Sequence, residues 1–336
     1  MQIKQNQNLK SYNTFGIDVN AKGFIHIHSE NDLYEVLVEE LRPLKIMGGG
    51  SNILLTEDID AYVLRNEIKG IEIVDEDDER VMVNVGAGEK WHNFVLWAIS
   101  HELGGVENLS LIPGSVGAAP MQNIGAYGVE QESVFHSLSA IHLETGVRKS
   151  FFKYECKFGY RESVFKNELK DQYFITHVCY ILKKNKHVLN IDYGVIKDVL
   201  NKKNINEPTI LDVSEAVIEI RQSKLPDPRK VGNAGSFFKN PVISATQYSN
   251  LIASYPEVPS FPQEDGSVKI PAGWLIERLG YKGKKYETYG VHKDQALVLV
   301  NYGGSNGRDI YNLSLEIKGA VFKKFYIDIQ HEVNIW

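Results

Sequence analysis

The 336-residue sequence holds only two cysteines, Cys156 and Cys179, and no Cys-x-x-Cys pair. So few thiols at that spacing support neither a disulfide framework nor a cysteine-based metal centre, so both read as reduced core residues and no metal is expected. Long apolar runs are missing too. No stretch approaches the ~18 apolar residues of a membrane-spanning helix, and the opening MQIKQNQNLKSYNTF lacks the apolar centre of a secretory leader. The expectation is a cytoplasmic, soluble chain with no membrane partner. Excess positive charge is absent: 43 acids against 37 bases give a net charge of −6. That argues against broad binding to a nucleic-acid backbone, while leaving room for one local cationic pocket. The 28 glycines and 11 prolines show no period, which excludes collagen-like and low-complexity chains. Several nucleotide and hydrolase signatures are missing as well: no GxGxxG after a strand, no GxxxxGK[ST], no HExxH and no GxSxG. A dinucleotide bound here is held by some fold other than the Rossmann type.

What is present is ordinary for a chain with a full core, at 43% hydrophobic and 24% charged residues. Against roughly 150 residues per domain, the length predicts two domains. Short strand signals fill the first half: residues 24–28, 44–47, 61–64, 70–74, 81–85, 138–143 and 172–182. Trp91, Phe94, Val95, Ala98 and Ile99 lie at helical spacing, closed by Gly104-Gly105. The polar stretch 186–210 reads as a connector with room for short helices. Beyond it, helices are predicted with Asp212 as N-cap, over 245–253 and 272–279, and over 308–324. Residues 325–335 alternate apolar and polar in the manner of a strand. The whole reads as α+β, with regions 1–185 and 211–336 either side of the connector.

Four glycine-rich clusters stand out: Gly48-Gly49-Gly50-Ser51-Asn52, Gly86-Ala87-Gly88, Pro113-Gly114-Ser115-Val116-Gly117-Ala118, and Gly125-Ala126-Tyr127-Gly128. Glycine admits φ > 0 and lets a phosphate approach successive N–H groups. Any one cluster is adequately explained as a tight turn. Four of them favour a large phosphate-bearing cofactor.

Together with Tyr160-Arg161-Glu162-Ser163-Val164-Phe165, Lys224-Leu225-Pro226-Asp227-Pro228, Gly232-Asn233-Ala234-Gly235-Ser236-Phe237-Phe238-Lys239-Asn240-Pro241, Ala272-Gly273-Trp274-Leu275-Ile276-Glu277 and the closing Glu332-Val333, these clusters resemble one flavoprotein family. They look like the UDP-N-acetylenolpyruvoylglucosamine reductases, also called UDP-N-acetylmuramate dehydrogenases, and the motifs span about residues 10 to 335 in the right order. The resemblance implies an FAD-binding α+β domain of the vanillyl-alcohol-oxidase/PCMH type, followed by a smaller α/β substrate-binding domain. It also implies FAD as cofactor, NADPH as hydride donor, a UDP-sugar as substrate, and a monomer that takes part in cell-wall precursor synthesis.

Carried onto this sequence, the family roles fall on Arg161, Ser236 and Glu332 as the catalytic three. Arg161 is permanently charged, and its fork matches a carboxylate. Ser236 would donate a proton to carbon with help from its neighbours, and Glu332 would lie near the substrate carboxylate. Flavin contacts are implied at Gly48, Gly49, Gly50, Ser51, Asn52, Pro113, Gly114, Ser115, Gly117, Ala118, Gly125, Ala126, Tyr127 and Arg221. Substrate contacts are implied at Tyr193, Lys224, Asn240 and Gln295, with Lys239 having an equal claim to a phosphate. Without the motifs, Arg161 reads as a surface ion-pair partner, Ser236 as a turn or cap residue and Glu332 as a solvated strand carboxylate. Two alternatives stay open: another oxidoreductase on the same flavin fold, and a non-catalytic nucleotide-sugar binder.

Overall fold

The computed structural model describes residues 2–336. Compactness divides the chain into two units. The first comprises the chain up to Gln7 with residues 21–50 and 60–223; the second comprises 8–20, 51–59 and 224–336. The stretch 186–210 lies within the first unit, and two early segments join the second.

Two large sheets organise the first unit, beside a two-stranded ladder of Gly125–Ala126 with Val129–Glu130. Strands Ile3–Asn8, Asn20–Ile27, Ile59–Asn66 and Leu44–Met47 lie side by side in that order, the last two parallel. The second sheet is antiparallel, in the order Arg148–Phe152, Phe135–His142, Tyr173–Lys183, Arg80–Gly86, Ile71–Glu76. Helix α1 (Glu30–Val38), which hydrophobic spacing does not signal, starts at a capping box. The Asp32 N–H donates to Ser29 Oγ at 3.2 Å, and the Ser29 N–H donates to Asp32 Oδ2 at 2.9 Å. Leu33 and Val36 of this helix pack with Ile25, Ile27, Leu64, Ile141 and Phe174. Helix α2 (Trp91–Ser100) buries Trp91 and Phe94 against Tyr180 of the five-stranded sheet, with ring centroids 5.8 and 5.1 Å apart. The Trp91 indole N–H donates to the Leu109 carbonyl at 2.9 Å, so the ring is buried without stranding its donor.

The expected connector contains helix α3 (Gly194–Lys202), whose Ile196 and Leu200 pack on Val213, Ala216 and Val217 of α4 (Ile210–Lys224). Asp212 is not the cap of α4. Thr209 is: its Oγ1 accepts from the Asp212 N–H at 3.3 Å, and Asp212 Oδ2 accepts from the Thr209 N–H at 2.8 Å. The carboxylate belongs three residues inside the helix, completing a capping box.

The second unit holds α5 (Ala245–Ser254), α6 (Ala272–Arg278) and α7 (Gly307–Phe325), close to the predicted helices. Pro271 stands at the N-cap of α6, just before the first helical residue, where its missing N–H costs nothing. The alternating segment is only partly a strand. Burial alternates from Phe325 to Val333 as predicted, yet among the described residues the only strand here is Asn334–Ile335, paired in parallel with Ile53–Leu54, and upstream of it is a single antiparallel bridge between His331 and Phe238. Alternation reports which side is covered; a ladder also needs a neighbouring backbone, and here that neighbour is two residues long.

The early segments are knitted into the second unit by direct backbone approach. The buried Asn301 donates from Nδ2 to the Phe15 carbonyl at 2.8 Å and accepts the Gly303 N–H at 2.8 Å. At Gly307, an added Cβ would lie 1.8 Å from the Leu55 oxygen. Gly319 on the same helix is exposed, and a Cβ added there would meet nothing within 4 Å. Gly307→Ala is therefore expected to lower urea-unfolding stability by several kcal/mol, on the order of other severe overpacking changes. Gly319→Ala should raise it by about 1 kcal/mol.

Candidate functional site

Within the first unit, three of the glycine clusters meet. A Cβ on Gly49 would come 2.7 Å from Gly114 Cα, one on Gly48 would come 2.6 Å from Ser115 Oγ, and one on Gly117 would come 2.5 Å from Ala87 Cβ. None of the three glycines has room for a side chain: Gly49 lies directly on the Gly114 backbone, Gly48 faces the Ser115 hydroxyl and Gly117 faces the Ala87 methyl. Not every amide in the 113–118 loop faces a ligand. The N–H groups of Val116, Gly117 and Ala118 donate to the Glu89, Ala87 and Ser115 carbonyls at 2.8, 2.8 and 3.0 Å. The amides that this loop can offer an anion are those of Gly114 and Ser115. Just upstream, the Leu111 peptide is held from both sides: its N–H donates to His92 Nδ1 at 3.0 Å, and its carbonyl accepts from Arg221 Nε at 3.3 Å.

Arg221 is a half-buried cation whose partners, the Leu111 carbonyl and the Tyr127 hydroxyl, carry no full negative charge. Burial, opposed by Tyr127 and reinforced by Arg161, lowers its pKa, and burial raises that of Tyr127. An arginine stays charged through such a shift, so the site holds positive charge that suits a diphosphate or carboxylate. Tyr193 packs edge-on against Tyr127, with ring centroids 5.6 Å apart, and is 48% exposed. The segment before it is tied down, since Asn108 Nδ2 donates to the Tyr127 and Asn190 carbonyls at 3.2 and 2.7 Å.

Arg161 sits in a tight turn between Gly159 and Glu162, at φ 56°. That left-handed conformation is less favourable for an arginine than for a glycine. Its Nη2 donates to the Gly125 carbonyl at 2.7 Å. A Cβ on Gly125 would lie 3.2 Å from Arg161 Nη1 and 2.9 Å from the Val129 oxygen, so the arginine is seated against bare backbone. Asn123, fully buried, joins the two loops. Its Nδ2 donates to Glu130 Oε2 at 2.7 Å and to the Gly159 carbonyl at 3.3 Å, and its Oδ1 accepts from Gln131 Nε2 and the Glu132 N–H.

In the second unit, Ser236 lies half-buried on a turn fixed by Asn233. The Asn233 side chain accepts the Gly235 N–H at 2.9 Å and donates to the Pro226 and Val231 carbonyls at 3.1 and 2.9 Å. The next residues pair with the C-terminal segment: the Glu332 N–H donates to the Phe237 carbonyl at 2.8 Å, and the Lys239 N–H donates to the Gln330 carbonyl at 2.9 Å. Ser236 and Glu332 are thus carried on adjacent backbones. Asn52 Nδ2 donates to the Glu332 carbonyl at 3.2 Å, so this amide positions the carboxylate-bearing residue. Ser51 and Asn52 belong to the second unit, whereas Gly48, Gly49 and Gly50 belong to the first. Asn240 Oδ1 accepts the Ala272 N–H at 3.0 Å and caps α6. The Phe237 N–H donates to the Leu297 carbonyl at 2.8 Å, two residues beyond the half-buried Gln295. Lys224 stands exposed at the end of α4.

A family model described as an FAD binding domain matches residues 21–148, and one described as the C-terminal domain of UDP-N-acetylenolpyruvoylglucosamine reductase matches 227–336. A UDP-N-acetylenolpyruvoylglucosamine reductase of Flavobacterium johnsoniae is 54% identical over 336 residues, covering all of both chains. One of Pseudomonas aeruginosa is 45% identical over 339 residues, covering 100% of this chain and 99% of its own. The chain belongs to the UDP-N-acetylenolpyruvoylglucosamine reductase family. The crystal structure of a reductase from Thermus caldophilus shares the fold, with a TM-score of 0.67 at 24% identity, covering 100% of this chain and 98% of that one.

FAD is the family's cofactor, and the first unit fits it: glycine contacts that bare the backbone, amides at Gly114 and Ser115, and the cation of Arg221. Reasoning on reductase motifs alone passes over three supporting residues. Asn123, two residues before the Gly125 cluster, and Asn233, inside the 232–241 motif, are given no role by that reading. His331, next to Glu332, alternates onto the apolar face. Its ring packs 5.4 and 5.5 Å from Phe237 and Phe238, and Ser314 Oγ lies 3.1 Å from its Nε2.

At a left-handed position glycine outperforms alanine, so Arg161→Gly should be more stable to urea than Arg161→Ala by about 1 kcal/mol, reversing the usual order. A second expectation concerns pH. Burial, with a smaller push from Lys318, lowers the His331 pKa to about 4 from 6.5. The unfolded chain then binds more protons than the folded one between those values, so stability falls as pH drops from about 6.5 towards 4. Thermal melts of His331→Gln should show a shallower loss over that window than the unaltered protein. Equal slopes would exclude this imidazole as a contributor.

Proposed function

We propose that this chain reduces the enolpyruvyl ether of UDP-N-acetylglucosamine to UDP-N-acetylmuramate, with NADPH as hydride donor, in peptidoglycan precursor synthesis. What carries the reading is Arg161, a permanent cation held in left-handed backbone against the Gly125 carbonyl within a domain that takes FAD. Bound FAD would supply the two-electron hydride chemistry that links NADPH to the vinyl group of the substrate.

The chain's own residues do the rest. Arg161 binds the substrate carboxylate and stabilises the negative charge that hydride addition pushes onto it. Ser236 gives its hydroxyl proton to the adjacent carbon, which closes the lactyl ether. The glycine before it and the Asn233 clamp hold that hydroxyl at one place. Glu332 lies by the same carboxylate, fixed through its backbone by Phe237 and Asn52. Gly48, Gly49, Gly50, Ser51, Asn52, Pro113, Gly114, Ser115, Gly117, Ala118, Gly125, Ala126, Tyr127 and Arg221 contact the flavin. Tyr193, packed on Tyr127, closes over the sugar nucleotide, which Lys224, Asn240 and Gln295 help to bind. The functional regions are 1–185 for the flavin and 211–336 for the substrate, joined by 186–210. The enzyme works as a cytoplasmic monomer without nucleic acid; among the described residues no helix is long and apolar enough to cross a membrane.

Ser236→Ala separates the half-reactions. Under anaerobic conditions the variant should bind FAD and be bleached by NADPH as the unaltered enzyme is. Its reoxidation by the enolpyruvyl nucleotide should slow by about a hundredfold to ten-thousandfold. Reoxidation at the original rate would remove Ser236 from the proton-transfer step. Oxygen-dependent turnover of a sugar or alcohol without NADPH would point instead to another oxidoreductase on this fold.

A further inference from the structure

Away from these residues, two imidazoles and a carboxylate converge on the four-stranded sheet of the first unit. His26 is on strand Asn20–Ile27 and His28 follows its end. Separated by two positions, they face the same way, while Ile25 and Ile27 point into the core. Glu67 follows the neighbouring strand Ile59–Asn66, and its N–H donates to the Ile27 carbonyl at 2.8 Å, which places its side chain beside both rings. Both Nδ1 atoms address the same carboxylate oxygen: Glu67 Oε2 lies 3.0 Å from His26 Nδ1 and 3.6 Å from His28 Nδ1. The two rings are parallel within 5°, with centroids 5.9 Å apart.

We propose that His26, His28 and Glu67 form a binding site for one divalent transition-metal ion of the zinc, nickel or copper class. The three ligand atoms lie within 4.8 Å of one another. With metal–ligand bonds of about 2.0–2.1 Å, tetrahedral coordination separates ligand atoms by roughly 3.3 Å. The 3.0 and 3.6 Å from the carboxylate oxygen to the two nitrogens bracket that spacing, and the ligand atoms all lie within 4.8 Å of one another, so an ion enters with small side-chain adjustments. Two nitrogen donors and one oxygen favour zinc, nickel or copper over magnesium or calcium, which take oxygen sets. His28 is the most exposed of the three, with 65% of its side chain accessible, which leaves a path for the ion and room for water as further ligands.

The surroundings orient the donors. Arg65 Nε lies 3.7 Å from Glu67 Oε1, an ion-pair separation, too long for a hydrogen bond, that draws this oxygen towards the guanidinium and leaves Oε2 facing the rings. Lys4 Nζ lies 3.5 Å from His26 Nε2, on the ring nitrogen away from Glu67. With Nδ1 on the metal, Nε2 carries the ring proton, and the half-exposed lysine turns towards water. The cysteines do not compete, because burial pushes the thiols of Cys156 and Cys179 up to about 12 and about 11.

The test uses the flavin-loaded, full-length protein without a polyhistidine tag, titrated with zinc chloride in a calorimeter. One ion should bind per chain, and His28→Ala and Glu67→Gln should each weaken binding by about tenfold or more. His101→Ala, an exposed histidine elsewhere, should leave the isotherm unchanged, and zinc should raise the melting temperature of the unaltered protein but not of Glu67→Gln. The proposal is overturned if no saturable single-ion binding occurs below about 100 µM. It is equally overturned if binding persists undiminished in both ligand variants. Circular dichroism of each variant separates loss of a ligand from loss of the fold.

Discussion

Where one stretch of backbone lies directly on another, the side chain between them has to vanish, and the first unit is organised around that requirement. Gly49 against Gly114, Gly117 against Ala87, and Gly86 and Gly88 against the 67–69 peptides are separate instances of one constraint. Strand ends that would otherwise be spaced by side chains are drawn together, and bare peptide is left at their junctions. Oriented amides of that kind suit an anion much as a helix N-terminus does, with no need of a Rossmann turn. Arg221 and Arg161 add positive charge beside backbone whose shape is already fixed.

A fold with so much irregular chain has a second problem, because buried loops leave N–H and C=O groups to be satisfied. Buried asparagine side chains answer it repeatedly. Asn13 bonds Leu9 and Ile17, Asn66 bonds Ile175 and Ile68, and Asn123, Asn233 and Asn301 each join loop backbones. An amide both donates and accepts, so it can imitate a missing peptide neighbour. Arg161 and Ser236 each sit one step away from such an asparagine, and their positions are inherited from it.

These particulars explain which parts are legible in the sequence. The strands at 44–47 and 81–85 and helix α2 follow from local period, and the structure has them nearly residue for residue. The ordered motifs identify the family because they are contiguous strings. Helix α1 escapes because its signal is the Ser29–Asp32 capping box and not an apolar stripe. The cap of α4 is displaced by three residues because Thr209 and Asp212 bond reciprocally, and either one alone looks like a cap. The approach of Glu67 to His26 depends on strands 41 residues apart in sequence, and no local pattern encodes it.

The segments 8–20 and 51–59 leave the ribosome long before the residues with which they form a compact unit, which begin at 224. Until then the Phe15 carbonyl lacks the Asn301 amide, and strand Ile53–Leu54 lacks its partner Asn334–Ile335. The second unit therefore cannot mature in the order of synthesis. A C-terminal fragment cut at the boundary of its matched family model, residue 227, would carry neither early segment. Synthesis through Ile335 is itself a folding step, and a product truncated before it is left with its second unit unfinished.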